Sequence, residues 1–418
     1  MIIIIILVIT SKSEGEAMDT AVNDINRKEM QEREEHRFAA DFSPASGFFF
    51  TSPFRSLTTT GCFSRIRLPA ADGADLNGEF QRSVRQAFAE ARQAGIKNPL
   101  LCGAIPFDTR QPSALFIPQQ SRWFDRAAFM AGVQPAAEGP ELAGITELPQ
   151  QQPFMNMVSD AVDAMKAGEL DKVVLSRLLE IETRRPVDRH ALMARVIAQN
   201  PHGFHFHVPL EQGALLGASP ELLLRQDGGR FYSNPLAGSA RREADPQRDR
   251  EVGERLMASA KDRHEHRIVT ESMRDVLAGR CRYLNVPHTP ELLTTTTLWH
   301  LSTPIDGEAA SPDENALSLA CLLHPTPALC GMPTAQAHAL IGKLEPFDRG
   351  LFGGIVGWCD DEGNGEWVVT IRCGTVDGNR VRLFAGAGIV EDSSPESEWH
   401  ETGTKLSTIL RAFGMNQG

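Results

Sequence analysis

The chain has 418 residues, of which 41% are apolar, 23% charged and 7% aromatic. These proportions exclude wholesale disorder and a fibrous architecture, and the length allows two to three domain-sized units or one large unit. The formal net charge of −12, from 54 acidic and 42 basic side chains, disfavours a nucleic-acid partner, which requires a basic field. A local pocket of opposite sign can still bind a small anion.

An apolar run from Met1 to Ile9 opens the chain. It is much shorter than the roughly 20 residues of a membrane-spanning helix. A secretory signal would have a basic start and a small-residue cleavage site, whereas the first basic residue, Lys12, follows the run. We therefore predict no membrane segment, a natural start at the second methionine, Met18, and an upstream extension over residues 1–17.

Seven cysteines are scattered along the chain without a Cys-x-x-Cys pair. This distribution is typical neither of a disulfide scaffold nor of a zinc site. We predict that the cysteines are small buried hydrophobic residues and that the protein is cytoplasmic.

The N-terminal part, residues 18–152, is predicted to be rich in strands, with one helix near residues 80–95. Residues 133–153 are rich in Pro, Gly and Gln, which indicates a surface connection. The rest of the chain, residues 153–418, is predicted to hold the functional residues. We expect the two parts to pack together as one compact unit.

Hydrophobic periodicity gives clearer elements after residue 153. Phe and Val alternate with His205 and His207 over residues 204–208, which is the pattern of a half-buried strand. The sequence Asp227-Gly228-Gly229 is a hairpin signal between two apolar segments. The other predicted elements are helices at 155–168 and 188–199, a β-rich segment at 172–183, and hairpin strands at 215–225 and 230–234.

Toward the C-terminus we predict one regular helix at 251–278 and a three-strand antiparallel meander at 352–390. A last helix begins at Ser394, an N-cap that is followed by Pro395, and ends at Gly414. Antiparallel strands interrupted by helices indicate an α+β fold rather than a doubly wound parallel sheet.

Two pairs of carboxylates lie three residues apart on predicted helices: Asp262 with Glu265, and Glu398 with Glu401. Each pair projects to one side of its helix. Four carboxylates on two helices could converge on Mg²⁺, which prefers oxygen ligands. The alternative is that each pair lies on a solvated helix face.

Two further patterns have structural explanations as good as the functional ones. His264 and His266 would point about 200° apart on a helix, so shared metal ligation is not expected and both are predicted to be surface or capping residues. Gly386 and Gly388 could let an anionic ligand approach backbone N–H groups, or could form a bend between strand and helix. They do not complete a dinucleotide-binding fingerprint.

Three charged residues border apolar strands: Lys172, Glu221 and Arg372. Burial of such groups is costly unless they are paired, and it favours their neutral forms. Lys172 and Glu221 could then act as a base and an acid near neutral pH, and Arg372 could bind a carboxylate with two hydrogen bonds. The alternative for all three is a solvent-exposed position at a strand end.

The segments that contain these residues resemble those of the chorismate-utilising enzymes, in the same order along the chain. The resemblance covers residues 153 to 413. The matching motifs are Asp171-Lys172-Val173-Val174-Leu175-Ser176-Arg177, Gly217-Ala218-Ser219-Pro220-Glu221, Pro235-Leu236-Ala237-Gly238-Ser239-Ala240-Arg241-Arg242, Lys261-Asp262-Arg263-His264-Glu265-His266, Thr297-Leu298-Trp299-His300, His324-Pro325-Thr326-Pro327-Ala328-Leu329, Gly386-Ala387-Gly388-Ile389-Val390, and Glu398-x-x-Glu401-x-x-x-Lys405.

The resemblance implies large antiparallel sheets packed face to face with helices on the outside. It also implies that Lys172 is a general base that deprotonates water and Glu221 a general acid that protonates a departing hydroxyl. Mg²⁺ would be bound by Glu265 and Glu401, with Asp262 and Glu398 holding its waters. The residues implied in substrate binding are Gly238, Ser239, His300, Ala328, Leu329, Ile371, Arg372, Gly386, Gly388 and Lys405.

Within this family the chain resembles most the isochorismate synthases of enterobactin-type siderophore biosynthesis, and this similarity extends into residues 48–56 and 103–108. It implies the interconversion of chorismate and isochorismate by a protein that we expect to be monomeric, with at most weak contacts to downstream enzymes. Ammonia-using anthranilate synthases have glutamine where Lys172 stands. The alternatives left open are a menaquinone-pathway isochorismate synthase, a salicylate synthase, an aminodeoxychorismate synthase and a non-catalytic chorismate sensor.

Overall fold

A computed structural model describes residues 47–134 and 138–415. The predicted start at Met18 and the extension over residues 1–17 lie outside these residues. The helices are α1 (Glu79–Gln93), α2 (Arg126–Gly132), α3 (Gln151–Lys166), α4 (Arg189–Gln199), α5 (Pro246–Ala258), α6 (Ala260–Ala278), α7 (Ala316–Leu323), α8 (Thr334–Leu344) and α9 (Pro395–Ala412).

The strands are β1 (Phe49–Thr51), β2 (Ser56–Thr60), β3 (Ser64–Ile66), β4 (Leu100–Ile105), β5 (Ala114–Ile117), β6 (Gln120–Phe124), β7 (Leu142–Leu148), β8 (Lys172–Thr183), β9 (Phe204–Pro209), β10 (Ala214–Ser219), β11 (Leu222–Asp227), β12 (Arg230–Asn234), β13 (Leu236–Arg241), β14 (Cys281–Asn285), β15 (Glu291–Thr294), β16 (Leu298–Ser302), β17 (Ile305–Ala309), β18 (Gly331–Met332), β19 (Ile355–Asp360), β20 (Gly365–Val369), β21 (Cys373–Asp377) and β22 (Arg380–Ile389). Their pairings are antiparallel.

Two large sheets form the centre of the molecule. A 10-stranded sheet has the order β18-β8-β22-β21-β10-β9-β1-β2-β6, with β7 also paired to β8, and a 9-stranded sheet has the order β14-β17-β12-β11-β20-β19-β4-β5-β3. A third sheet contains β13, β16 and β15. Strands from before and after residue 152 are therefore neighbours in both large sheets.

The two large sheets pack face to face. Phe206 of β9 and Leu215 of β10 share one apolar cluster with Trp358 of β19 and Val368 of β20. Burial of each of these side chains contributes about 2 kcal/mol. Helices α1, α6 and α7 cover the outer face of the 9-stranded sheet, and α2, α3, α4, α8 and α9 cover that of the 10-stranded sheet. The predicted α+β fold, with face-to-face sheets and outer helices, is confirmed.

Two strands that the sequence suggests as continuous are broken between the sheets. The predicted strand 215–225 is β10 in the 10-stranded sheet and β11 in the 9-stranded sheet, separated by Pro220 and Glu221. The predicted meander 352–390 is four strands, and it changes sheet between β20 and β21. A proline has no N–H to donate to a strand ladder, which explains the first break.

The two breaks lie side by side and are hydrogen-bonded to each other. The N–H of Ala218 donates to the carbonyl of Arg372 at 3.1 Å, and the N–H of Val369 donates to the carbonyl of Glu221 at 3.2 Å. The two chain segments therefore pass from one sheet to the other next to each other, and the sheets separate at this point.

Three other predictions about local structure were wrong. The connection at 133–153 contains strand β7, which pairs with β8. The helix at 251–278 is two helices, because Ser259 interrupts it and its side chain accepts a hydrogen bond from the N–H of Asp262. The strand with His205 and His207 is buried on both faces, because each sheet face is covered by another layer. Burial lowers the pKa of His205 to about 3 and that of His207 to about 4.

Most of the cysteines are buried, and each is a free thiol. In the two described stretches of the chain, every helix falls short of the length and apolar character that a membrane crossing demands.

Candidate active site

A small cavity lies where the two sheets separate, with a volume of about 70 Å³. A larger cleft of about 970 Å³ runs beside it and shares Pro220 and Arg372 with it. The predicted acid, base and metal residues do not line that larger cleft. The small cavity is therefore the candidate site. Its lining residues are Val174, Pro220, Glu221, Leu236, Ala237, Gly238, Ser239, Glu265, His300, Ala328, Leu329, Phe352, Ile371, Arg372, Ala385, Gly386, Gly388, Glu401 and Lys405.

Lys172 is the first residue of β8, and its side chain is 0% exposed. Its Nζ lies 3.0 Å from Oε1 of Glu265, and among the described residues it has no partner with hydrogen-bond geometry. Lys172 lies behind the cavity wall. Gly388 makes room for this contact, since a Cβ there would lie 2.0 Å from Oε1 of Glu265 and 3.2 Å from Cε of Lys172.

Glu221 occupies the first break between the sheets and is 2% exposed. Its Oε1 accepts a hydrogen bond from the N–H of Leu236 at 3.3 Å. Burial raises the pKa of Glu221 to about 7, although this hydrogen bond and the charges of Lys172, Arg372 and Lys405 act to lower it. A substantial fraction of Glu221 therefore carries a proton at neutral pH, which is what a general acid requires.

Arg372 occupies the second break, and it is the one described non-glycine residue with a positive φ, +50°. That backbone region is unfavourable for residues with a Cβ and is held only where the surrounding structure imposes it. Burial lowers the pKa of Arg372 to about 10, opposed by the charges of Glu401 and Glu221. The guanidinium remains cationic at neutral pH and lines the cavity.

Three of the four predicted metal-binding carboxylates are paired with lysines. Besides the contact of Glu265 with Lys172, Oε1 of Glu398 accepts a hydrogen bond from Lys261 at 2.7 Å, and Oε1 of Glu401 accepts one from Lys405 at 2.6 Å. Over residues 47–134 and 138–415, no three His, Cys, Asp or Glu side chains are already arranged around one point for metal binding.

The carboxylates nevertheless suit a hard cation. Glu398 is fully buried, and its Oε2 has no partner of good hydrogen-bond geometry within the described chain, although the Ser393 side chain lies near enough to lower the pKa of Glu398. Burial and then the charge of Glu401 raise the pKa of Glu398, and burial, with smaller contributions from Glu265 and Glu401, raises that of Asp262. The four carboxylates therefore lie close enough to repel one another, and an oxygen-bound Mg²⁺ would relieve that repulsion.

All ten predicted substrate-binding residues line the cavity. Gly238 has φ +80°, and a Cβ there would approach Cβ of Asp262 to 3.1 Å. Burial and the charges of Arg372 and Lys405 lower the pKa of His300 well below its usual value, so its ring is neutral. Gly386 and Gly388 lie within the regular pairing of β22 with β8, and the predicted bend at these glycines is absent from this described strand.

Sequence reasoning missed several residues of the site. The apolar lining residues Val174, Leu236, Phe352 and Ala385 look like ordinary core residues, and no signal separates them. Lys261 lies in one of the family motifs, and it donates a hydrogen bond to Glu398. The opposite charges of these two residues were the available signal for this pair.

The prediction of His266 as a surface or capping residue was wrong. It is buried, with its ring nitrogens 3.1 Å from the carbonyl oxygen of Ala237 and 2.7 Å from Oγ1 of Thr303. It therefore supports the cavity wall at Ala237. Asp262 and Glu398 lie outside the lining of the cavity.

The chain belongs to the family of chorismate-binding enzymes. The sequence profile of that family, described as "Chorismate binding enzyme", matches residues 119–414. The family resemblance that the motifs indicated is therefore confirmed.

Individual relatives cover nearly the whole chain. Isochorismate synthase EntC of Escherichia coli strain K12 is 56% identical over 372 residues, which are 88% of this chain and 95% of EntC. The crystal structure of DhbC from Bacillus anthracis has 38% identity and a TM-score of 0.83 over 91% of this chain and 100% of DhbC. The menaquinone-specific isochorismate synthase MenF of Escherichia coli has 26% identity and a TM-score of 0.75 over 91% of each chain.

The strained backbone at Arg372 gives a test by stability. Arg372→Gly should be more stable than Arg372→Ala by about 1 kcal/mol, because only glycine adopts a positive φ without strain. Urea unfolding of both variants measures the difference. Ser407→Gly and Ser407→Ala, at an exposed position of helix α9, are the matched control pair. Here the alanine variant should be the more stable one, because glycine is unfavourable inside a helix. Equal stability of the two Arg372 variants would contradict the strain.

Proposed function

We propose that this protein is an isochorismate synthase that supplies 2,3-dihydroxybenzoate for an enterobactin-type siderophore. The observation that carries the proposal is the similarity to EntC, 56% identity over 88% of the chain. The cavity agrees with it, because a buried lysine and a protonatable glutamic acid lie at the same small site. The enzyme is proposed to act as a cytoplasmic monomer on free chorismate.

The reaction exchanges one hydroxyl for another across a diene. A water oxygen forms a bond to ring carbon C2, the two ring double bonds shift, and the bond from C4 to its hydroxyl breaks. One proton must leave the attacking water and one must reach the departing hydroxyl. Atoms therefore balance without an oxidant or any other reactant.

Lys172 is the proposed acceptor of the water proton. A primary amine accepts a proton through its nitrogen lone pair, and the position of Lys172 at the start of β8 behind Gly388 brings it to the cavity wall. Nζ lies 3.0 Å from Oε1 of Glu265 but has no partner of good hydrogen-bond geometry in the described chain, which leaves hydrogen-bonding capacity for a water molecule.

Glu221 is the proposed proton donor to the C4 hydroxyl. Burial keeps part of this carboxylic acid protonated, with a pKa of about 7. The hydrogen bond from Leu236 holds one oxygen and leaves the other for the substrate. In the reverse direction the two residues exchange roles.

Arg372 is proposed to bind the enolpyruvyl carboxylate of chorismate. The break between β20 and β21 aims its guanidinium into the cavity, where a planar fork binds a carboxylate with two hydrogen bonds. Gly238, Ser239 and His300 supply polar contacts, and Ala328, Leu329 and Ile371 form an apolar wall that limits the water near the ring. Lys405, bonded to the carbonyl oxygen of Gly386, adds positive charge.

Mg²⁺ is the proposed cofactor, with Glu265 and Glu401 as ligands and Asp262 and Glu398 holding its waters. When bound, it would neutralise and orient the ring carboxylate of chorismate. The oxygen-rich donor set and the unsatisfied Oε2 of Glu398 support this assignment.

Purified protein given chorismate and Mg²⁺ should form isochorismate as its main product, as resolved by liquid chromatography. Salicylate with pyruvate as the main products would identify a salicylate synthase instead. Aminodeoxychorismate formed when ammonia is added would favour that alternative, and calorimetric binding of chorismate without turnover would identify a sensor. Loss of catecholate secretion on gene deletion separates siderophore from quinone supply.

Lys172→Ala and Glu221→Gln should each lower kcat by about 10²- to 10⁴-fold, because each removes one proton transfer. Steady-state rates of isochorismate formation measure the loss. Lys166→Ala, at an exposed lysine near the end of α3, is the matched control and should leave kcat unchanged. Near-normal turnover by either site variant would exclude the role given to that residue.

The free energy of unfolding of Glu221→Gln, measured as a function of pH, shows whether a loss of activity comes from the missing acid or from misfolding. The pKa of Glu221 rises from 4.5 to about 7 on folding, so the stabilisation by the neutral acid is present below pH 4.5 and is lost as pH rises through 7. Glutamine does not titrate. The variant should therefore gain about 2 kcal/mol relative to the natural protein between pH 5 and pH 8.

Glu265→Gln should weaken Mg²⁺ binding by at least about tenfold, because a charged ligand becomes neutral. Calorimetric titration with MgCl₂ measures the affinity without turnover. Glu271→Gln removes a charge from an exposed position of the same helix, α6, and should bind Mg²⁺ normally. An unchanged titration of Glu265→Gln would argue against ligation.

A further inference from the structure

A buried ion pair lies behind the candidate site, formed by Glu345 at the end of α8 and Arg349. The two side chains are 1% and 2% exposed. Nη2 of Arg349 donates to Oε1 of Glu345 at 2.6 Å, and Nε donates to Oε2 at 2.8 Å. This two-bond arrangement is the strongest and most directional form of a charged pair.

The pair fills a gap at the edge of the 10-stranded sheet. On one edge, β8 pairs with β18 at Lys172 and Val173 and with β7 from Leu178 onwards. Between these two stretches no described strand pairs with that edge. Buried backbone groups there would be left unsatisfied without other partners.

Glu345 and Arg349 supply those partners. The N–H of Ser176 donates to Oε1 of Glu345 at 2.7 Å, and Nη2 of Arg349 donates to the carbonyl of Val174 at 2.7 Å. The side chains thus replace the missing strand two residues after Lys172, and they hold the start of β8 in place.

The same guanidinium also holds a second segment of the cavity wall. Nη1 of Arg349 donates to the carbonyl of Leu329 at 2.8 Å, and Leu329 lines the cavity beside Ala328. The face of the guanidinium packs on Phe107, 4.3 Å from the ring centroid. Arg349 is therefore bonded both to the strand of Lys172 and to the apolar wall.

We propose that the Glu345–Arg349 pair is a positioning device for the reaction, which sets the distance between the strand of Lys172 and the wall of Ala328 and Leu329. Neither member lines the cavity, so the pair acts through the groups that it holds. The inference rests on the proposed function. A displacement of about 1 Å between reacting groups lowers rates by about 10²-fold.

Arg349→Lys is the informative variant. It keeps the buried charge opposite Glu345, so the protein avoids an unpaired buried carboxylate. A lysine ammonium cannot reproduce the planar fork that reaches Glu345, Val174 and Leu329 together. The side-chain link between strand and wall is therefore lost while the charge remains, and the backbone hydrogen bond from the N–H of Val174 to the carbonyl of Cys330, at 2.8 Å, stays in place.

Arg280→Lys is the matched control. Arg280 also forms a partly buried pair, with Nη1 2.5 Å from Oε1 of Glu314, and also donates to a backbone carbonyl, that of Ala74, at 2.8 Å. None of these groups lines the candidate cavity. Both variants and the natural protein are assayed with chorismate and Mg²⁺ at a temperature where all are folded.

For Arg349→Lys we expect kcat to fall by about 10- to 100-fold with KM changed by less than about threefold, since placement rather than binding is impaired. Arg280→Lys should keep both constants even where its melting temperature falls equally. A kcat of Arg349→Lys equal to that of the unsubstituted protein would overturn the proposal. Should that variant not fold, Glu345→Gln, which retains an acceptor for Ser176, is judged by the same kcat criterion.

Hydrogen–deuterium exchange separates this inference from the proposed function. In Arg349→Lys, residues 172–176 and 326–330 should lose protection together, and in Arg280→Lys they should not. If the natural protein does not convert chorismate, the proposed function fails, and the exchange result alone decides whether the pair couples the two segments. Unchanged protection of either segment overturns the coupling.

Discussion

The candidate site depends on one constraint of the β structure: two neighbouring chain segments leave one large sheet and enter the other at the same level. The breaks are hydrogen-bonded to each other through Ala218, Arg372, Val369 and Glu221, so neither can move alone. At the break a side chain is released from the alternation of a strand and can point between the sheets. Glu221 and Arg372 occupy these two positions, and the cavity opens beside them.

Burial between the separated sheets changes the protonation and the pairing of the charged groups. An acidic chain of net charge −12 gathers Lys172, Arg372 and Lys405 close to the candidate cavity, and it places four carboxylates beside them. Because water is excluded, a pKa of Glu221 near 7 results from burial against the attraction of nearby cations. The same exclusion makes each charge expensive unless it is paired, which is why lysines contact Glu265, Glu398 and Glu401.

Much of the fold could be predicted from local pattern. The helices near residues 80–95, 155–168 and 188–199 were found because an amphipathic helix shows its period in a short window, and the last helix because Ser394 and Pro395 are a strong start signal. The breaks after Ser219 and Val369 were missed, since an apolar run has the same appearance whether its strand stays in one sheet or changes to another. The burial of His205 and His207 was missed for a related reason: alternation cannot reveal that both faces are covered.

The sequence by itself determined the family, the order of the motifs and the identity of the charged residues, because short motifs and their order can be read directly along the chain. Only the tertiary structure decided which of these residues meet, since Lys172, Glu221 and Arg372 are brought together by the pairing of strands far apart in the chain, and helix α6 carries Glu265 to Lys172. It also decided what holds them. The pair of Glu345 and Arg349 fills the unpaired edge of β8, and a gap in a sheet exists only once the neighbouring strands are in place.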